Sequence, residues 1–313
     1  MKFLSLFKKN KEEKTDYKLN RVSKLVNLVF NAMFVVIALV SIIPFFFVLM
    51  ISISSKESIA QYGYRFIPKA FSASAYVFLW NERSTIFTAF GVSVLVTILG
   101  TIIGLILTAA MGYSLSRSEF KLKGFLTWVI FIPMLFSGGM ISSYVVNSNI
   151  LQLKDTLWIL ILPLAVSSYN IVICKTFFKT GIPDSIVEAA KIDGASQFGI
   201  FTKIILPISK PLLATIGLFL SFGYWNDWFQ SSLYINKANL VSMQALLNSI
   251  QRNIEYLANN PSAGLSIQQY RNMMPTESAR MAIAVVIVVP IACVYPFFQR
   301  YFVSGLTIGS VKG

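Results

Sequence analysis

The chain has 313 residues, 55% apolar and 13% charged, against about 25% charged in a soluble domain. That composition marks an all-α, polytopic membrane protein, and the net charge of +14 reads as cytoplasmic loop bias rather than a nucleic-acid footprint, because no basic stripe with interleaved aromatics occurs. The absence of histidine excludes His-based metal sites, His general bases and Ser-His triads. The two cysteines, Cys174 and Cys293, lack metal-ligand spacing and read as buried, inert thiols.

Residues 1–26 form a basic segment, with more than 20 residues ahead of the first apolar run. That run, about 27–53, carries no charge and is too long for a signal-peptide core, so it is predicted to stay as an anchor. Further apolar runs follow at about 86–114, 124–145, 156–178, 207–229 and 281–303, six predicted spans within a domain of 27–303. Lys and Arg concentrate in residues 1–24, in "RSEFKLK" (117–123), between the fourth and fifth runs, and at the C-terminal end. Both termini, including a tail of residues 304–313, are therefore placed in the cytoplasm. Two loops, 54–85 and about 230–280, lie outside. The second contains the helix-like "VSMQALLNSIQRNIEYL" and is read as a structured, partner-contacting loop. Pro133, Pro163, Pro211, Pro290 and Pro296 interrupt the runs, as kinks that serve motion or, for most of them, as ordinary packing, and Gly138-Gly139 reads as close helix packing.

The stretch "EAAKIDGASQFGIFTKIILP", Glu188–Pro207, lies between two apolar runs on the cytoplasmic side. Ser185-Ile-Val-Glu188 matches a capping box, Pro183 closes the preceding helix, and Gly194 stands where a left-handed C-cap is wanted. A helix over about 185–193 follows, with Ile182, Ile186, Ala189 and Ala190 on one side. The two adjacent alanines let that side seat in a groove. A two-turn helix needs tertiary contacts to be stable in water. On the residues alone, two readings stay open: an interfacial helix on the headgroups, or a docking element for another protein.

Glu188-Ala189-Ala190, three residues, Gly194, nine residues, then Ile204-x-Leu206-Pro207 resembles the EAA motif. That motif marks the membrane subunits of bacterial ATP-binding-cassette importers. The resemblance covers about residues 25–313, and "PTESARMA" and the ending "GLTIGSVKG" are similar to the carbohydrate branch. There the chain looks like the maltose-type second permease, and still more like Gram-positive oligosaccharide and polysaccharide permeases. The resemblance implies that Glu188, Ala189, Ala190, Gly194, Ile204, Leu206 and Pro207 form a coupling segment docking on a cytoplasmic ATPase dimer. It also implies a second permease subunit in a heterodimer, an extracellular lipid-anchored solute-binding protein, a carbohydrate substrate and a bacterial cell-membrane location. The tail, with Gly309 and Lys312, is read either as reaching the ATPase or as a loose end.

"YWNDWF" (224–229) brings aromatic faces and hydrogen-bonding groups together in Trp225, Asn226, Asp227 and Trp228. These suit a sugar pathway, or equally an aromatic belt at the outer interface. Asn170 is read as lining that path or as bonding between helices. No Gly-Lys pair occurs, so there is no P-loop and no catalytic constellation. The chain is expected to carry no cofactor or metal of its own, ATP and Mg being held by the partner. The competing reading is a self-contained ion-coupled transporter or channel, which needs mid-membrane ionisable groups that the runs almost entirely lack. A scaffold or sensor is the third.

Overall fold

A computed structural model describes residues 23–259 and 276–308. Every regular element among them is a helix, and the one strand-like contact is an isolated antiparallel bridge between Ser54 and Phe71. The chain divides into two units, Met1–Phe47 and Val48–Gly313. The described part of the first lies in α1 (Lys24–Ser52), which has no charge after Lys24. Its 29 residues extend about 43 Å at about 1.5 Å per residue, beyond the roughly 30 Å of a hydrocarbon core.

The second unit begins with α2 (Lys56–Tyr62) and α3 (Ser74–Asn81), and is then organised around α4 (Arg83–Ser116). A stripe of mostly small residues at four-residue spacing, Val92, Val96, Gly100, Gly104, Thr108, Gly112 and Ser116, forms the buried face of α4. Small residues let helix backbones approach closely. A Cβ at Gly100 would lie 2.4 Å from the Tyr224 ring, and one at Gly112 would lie 2.6 Å from Cys174 Cβ. The buried Tyr224 hydroxyl donates to the carbonyl of Ile161 at 2.7 Å, tying its helix to the segment around residue 161 as well.

The third apolar run is divided. It comprises α5 (Lys123–Leu135), an extended break, then α6 (Gly139–Val145), which continues as a π turn over Val146–Ile150. Gly139 is not a packing glycine: it has φ +78° and nothing lies within 4 Å of where its Cβ would stand. Its role is the left-handed backbone at the restart of the helix. The fourth run is likewise two helices, α7 (Trp158–Ala165) and α8 (Ser168–Thr180), bent by 47°. The Ser167 hydroxyl caps the second by accepting from the Asn170 N–H.

After α8 come α9 (Asp184–Ile192), α10 (Gln197–Ile200), a π turn over Phe201–Ile205, α11 (Leu206–Ile208) and α12 (Lys210–Asn226). The segment Gln197–Ile208 meets α12 at 83°. The fifth run therefore does not begin at 207, because residues 207–208 belong to the other arm of the bend. Pro211 is the reason: it has no N–H for the Pro207 carbonyl, and its ring crowds that carbonyl.

The described part of the loop after the fifth run is structured, with α13 (Phe229–Tyr234) and α14 (Met243–Asn259). The Met243 N–H donates to Ser93 Oγ of α4 at 2.8 Å. Met243 and Leu247 are buried with Ala75 and Leu79 of α3 and with Ala279, Ala282 and Ile283. The last three belong to α15 (Thr276–Ile308). Cys174 is buried as expected, but Cys293 is exposed; the residues of α15 that pack with α3 and α14, Ala279, Ala282, Ile283, Val286 and Ile287, lie one or more turns before it.

Among the described residues, α1 and α4 are each long and apolar enough to cross a membrane, and the two bent pairs would make four such spans.

Candidate functional site: a short helix held on the bundle

The docking candidate is built on α9. Its C-terminal end is a full Schellman motif: the Ala195 N–H donates to the Ala190 carbonyl and the Gly194 N–H to the Lys191 carbonyl, each at 3.0 Å. Gly194 has φ +78°, the conformation that this motif demands. The N-terminal end differs from the capping-box expectation. The N-cap is Pro183, without a side-chain cap bond, and Ser185 lies inside the first turn. Pro183 and the anchored Asp184 start the helix before Ser185, so Glu188 has no N-cap amide to reach. Asp184 in the first turn and Lys191 in the last both favour the helix dipole.

The buried face also differs from the expected one. Ile182, Val187 and Ala190 are buried, whereas Ile186 and Ala189 are exposed. The inward residues pack in one cluster with Tyr113 of α4, Cys174 and Phe178 of α8, Ile200, Ile205, and Leu212 and Ile216 of α12. Tyr113 sits edge-on to Phe178 at 6.2 Å and tilted against Phe201 at 5.2 Å. Ile204 and Leu206 pack against the same cluster. Ala190, Ile204 and Leu206 thus seat the segment on its own bundle. Glu188, Ala189, Gly194 and Pro207 face outward. Ser185, Glu188, Ala189 and Ile192 recur at i, i+3, i+4 and i+7 and make one exposed face.

Two residues that the pattern did not single out complete that surface. Ile192 is 86% exposed and Phe198 75% exposed. Their signal in the sequence is slight: an isoleucine and a phenylalanine flanking Gly194 in an otherwise polar stretch.

The structure scatters the expected pathway residues. Trp225 is buried with its indole N–H unpaired and lines an apolar cavity of about 600 Å³ between α4, α12 and α15, together with Thr97, Thr101, Ser221 and Phe222. The Phe90 ring meets Trp225 edge-on at 5.9 Å. Asn226 is exposed, and its amide donates to the Phe222 carbonyl at 3.0 Å. The Asp227 carboxylate accepts the Gln230 N–H at 3.2 Å, capping the next short helix. Trp228 is exposed and packs on Phe229. Asn170 is buried in α8. Gly309 and Lys312 lie outside the described residues.

Residues 100–308 match the family model described as the binding-protein-dependent transport system inner membrane component. The chain belongs to this family. Its matched region holds α9, the Schellman glycine and the bend at Ser209.

Among curated relatives, the chain is 37% identical over 297 residues to protein LplC of Bacillus subtilis, covering 95% of this chain and 97% of that one. It is 36% identical over 291 residues to the polygalacturonan/rhamnogalacturonan transport system permease protein YtcP of the same organism, covering 93% and 99%. Among solved structures, a chain of a bacterial ABC transporter involved in the import of the acidic polysaccharide alginate matches with a TM-score of 0.75 and 26% identity, covering 90% and 99%. The protein is thus a membrane transport component, and the family decides against the self-contained ion-coupled reading.

Proposed function

We propose that this chain is one of two permease subunits of an ATP-driven importer carrying an oligosaccharide or polysaccharide fragment into a bacterial cell. The observation that carries this reading is the outward face of α9, Ser185, Glu188, Ala189 and Ile192, on a helix whose other face is locked into the bundle. A helix so mounted takes a push from outside and passes it inward. The polysaccharide class rests on the similar proteins, among them a polygalacturonan/rhamnogalacturonan transport system permease protein and a chain of an ABC transporter involved in alginate import.

In this reading the chain crosses the membrane six times, with both termini and α9 in the cytoplasm. An ATPase dimer holds ATP and Mg and grips α9 and the residues just after it, through Glu188, Ala189, Ile192, Gly194 and Phe198. An external, lipid-anchored binding protein delivers the sugar onto the outer loops, including α14. Closure of the ATPase pair displaces α9, and the 83° arm carries the displacement through Ser209 into α12. The cavity beside Trp225 then opens to alternate sides, a population shift driven by the partner's differential affinity for the two states. Asn170, Trp225, Asn226, Asp227 and Trp228 are the pathway candidates, with Trp225 the one that faces a cavity. The tail, Gly309 and Lys312 included, is a second ATPase contact.

The test is reconstitution with the partner permease, the ATPase and the binding protein. Glu188→Lys and Gly194→Asp insert normally but lose substrate-stimulated ATP hydrolysis and co-purify poorly with the ATPase. Unchanged stimulation and association in both variants would sink the docking assignment.

A further inference from the structure

We propose that Arg117 and Glu119, in the turn after α4, are positioning residues that clamp both ends of the docking helix to α4, so that the two move as one body. This rests on α9 being the ATPase-docking helix.

The clamp has two jaws. Arg117 Nη1 pairs with Asp184 Oδ1 at 2.9 Å, at the first turn of α9. Glu119 Oε2 pairs with Lys191 Nζ, at the last turn. Two residues of one turn thus reach the two ends of the helix, fixing its direction as well as its position. A single bridge would leave α9 free to pivot about the contact.

Arg117 is also tied to everything around it. Its Nη2 donates to the Phe178 carbonyl at 2.6 Å, its Nε donates to Ser116 Oγ at 3.0 Å, and its guanidinium lies 5.4 Å from the centre of the Tyr113 ring. One side chain therefore joins the end of α4, the end of α8 and the start of α9. The planar fork of arginine reaches Asp184 and the Phe178 carbonyl from two nitrogens held in fixed geometry, whereas lysine offers a single point charge on a flexible stem. The jaws differ in burial: the Arg117 side chain is 14% exposed and that of Lys191 is 32%, while Asp184 and Glu119 are largely in solvent. Pairs of this exposure add little to stability. Their value lies in direction, since they act on the one helix that has to transmit a displacement. The outward face at Ser185, Glu188, Ala189 and Ile192 stays clear of both jaws.

The experiment uses the complete reconstituted importer. Two quantities are read: ATPase association, and the ratio of binding-protein-stimulated to basal ATP hydrolysis. Glu119→Lys, Lys191→Glu and Asp184→Asn each lower the ratio about twofold to fivefold, the range in which exposed ion pairs couple. Association stays at the wild-type level. The double variant Glu119→Lys/Lys191→Glu restores the ratio, and Lys191→Arg retains it. Arg117→Lys falls between, since it keeps the charge and loses the rigid fork.

An unchanged ratio in all the single variants overturns the clamp. So does a loss of association with Lys191→Glu that the double variant does not repair, because Lys191 would then be an ATPase contact. Failure of the docking reading itself is distinguishable: Glu188→Lys and Gly194→Asp would then leave both quantities untouched.

Discussion

The left-handed glycine at the end of α9 offers a perturbation of known size. Gly194 has φ +78°, and a Cβ there would meet nothing within 4 Å. Substitution is thus free of steric clash, and its cost is the backbone conformation alone. For an L-residue that cost is about 1–2 kcal/mol, less for Asn, which tolerates the left-handed region, and more for a β-branched residue. The two Schellman hydrogen bonds compete against it.

If docking requires the capped end, apparent affinity for the ATPase falls with the population of that end. Gly194→Ala then weakens association by up to about 5- to 30-fold, the factor corresponding to 1–2 kcal/mol when the capped end is only marginally populated. The order is Gly, Asn, Ala, Val from tightest to weakest. The assay is titration of purified permease pair with ATPase, alongside amide exchange over residues 188–195. Faster exchange at Gly194 and Ala195 must accompany the weaker binding, because their N–H groups make the cap. Equal affinity across all four residues, or Asn as damaging as Val, would refute the conformational argument.

Gly112→Ala places a Cβ 2.6 Å from Cys174 Cβ, and should destabilise the packing of α4 on α8 by about 1–3 kcal/mol, read as a lower thermal midpoint in detergent. Cys174→Ala should not rescue it, since the clashing atom remains, while Gly91→Ala, with open space around it, serves as the control. Tyr224→Phe removes the hydrogen bond that the hydroxyl donates to the Ile161 carbonyl at 2.7 Å, at a cost of about 0.5–1.5 kcal/mol in the same assay. Asp155 accepts the backbone N–H groups of Asn236 and Lys237, and these bonds, Asn236 first, hold its carboxyl below the usual range. A depressed carboxylate contributes stability above its unfolded value, about 3.9, and loses it as pH falls through the lower folded value. Asp155→Ala is therefore less stable than wild type at neutral pH, and the gap closes in acid below about pH 4, which acid-unfolding curves of the two proteins would show.

The apolar runs were legible because a membrane span is a composition signal. Their interruptions were less so. Pro211 marks the 83° bend only when set beside Pro207, four residues earlier, since the clash is between those two positions. Gly194 could be read from the sequence because a positive φ after a short helix is a local requirement. The inward face of α9 was misread. Ile186 and Val187 are adjacent, both apolar, and two turns of helix do not contain enough period to choose between them. The bundle makes the choice, with the cluster around Tyr113 and Phe178 receiving Val187. Arg117 was invisible as a site residue, because its partner Asp184 lies 67 positions away and no local pattern joins them.

The placement of α4 gives those scattered residues one meaning. At one end, the turn that follows it grips α9 through Arg117 and Glu119. Towards the other end, Ser93 Oγ accepts the Met243 N–H and holds the start of α14, in the loop assigned to the opposite side of the membrane. From Ser93 to Arg117 a helix rises about 36 Å, more than the roughly 30 Å of the hydrocarbon core. Between these points its small-residue face is interlocked with Cys174 and Tyr224, where no Cβ fits. Packed interiors are stiff and transmit displacement rather than absorbing it. On the proposed reading, a push on α9 and a load on α14 would act on the same rod, coupling delivery on one side to ATP use on the other without any residue touching both ligands.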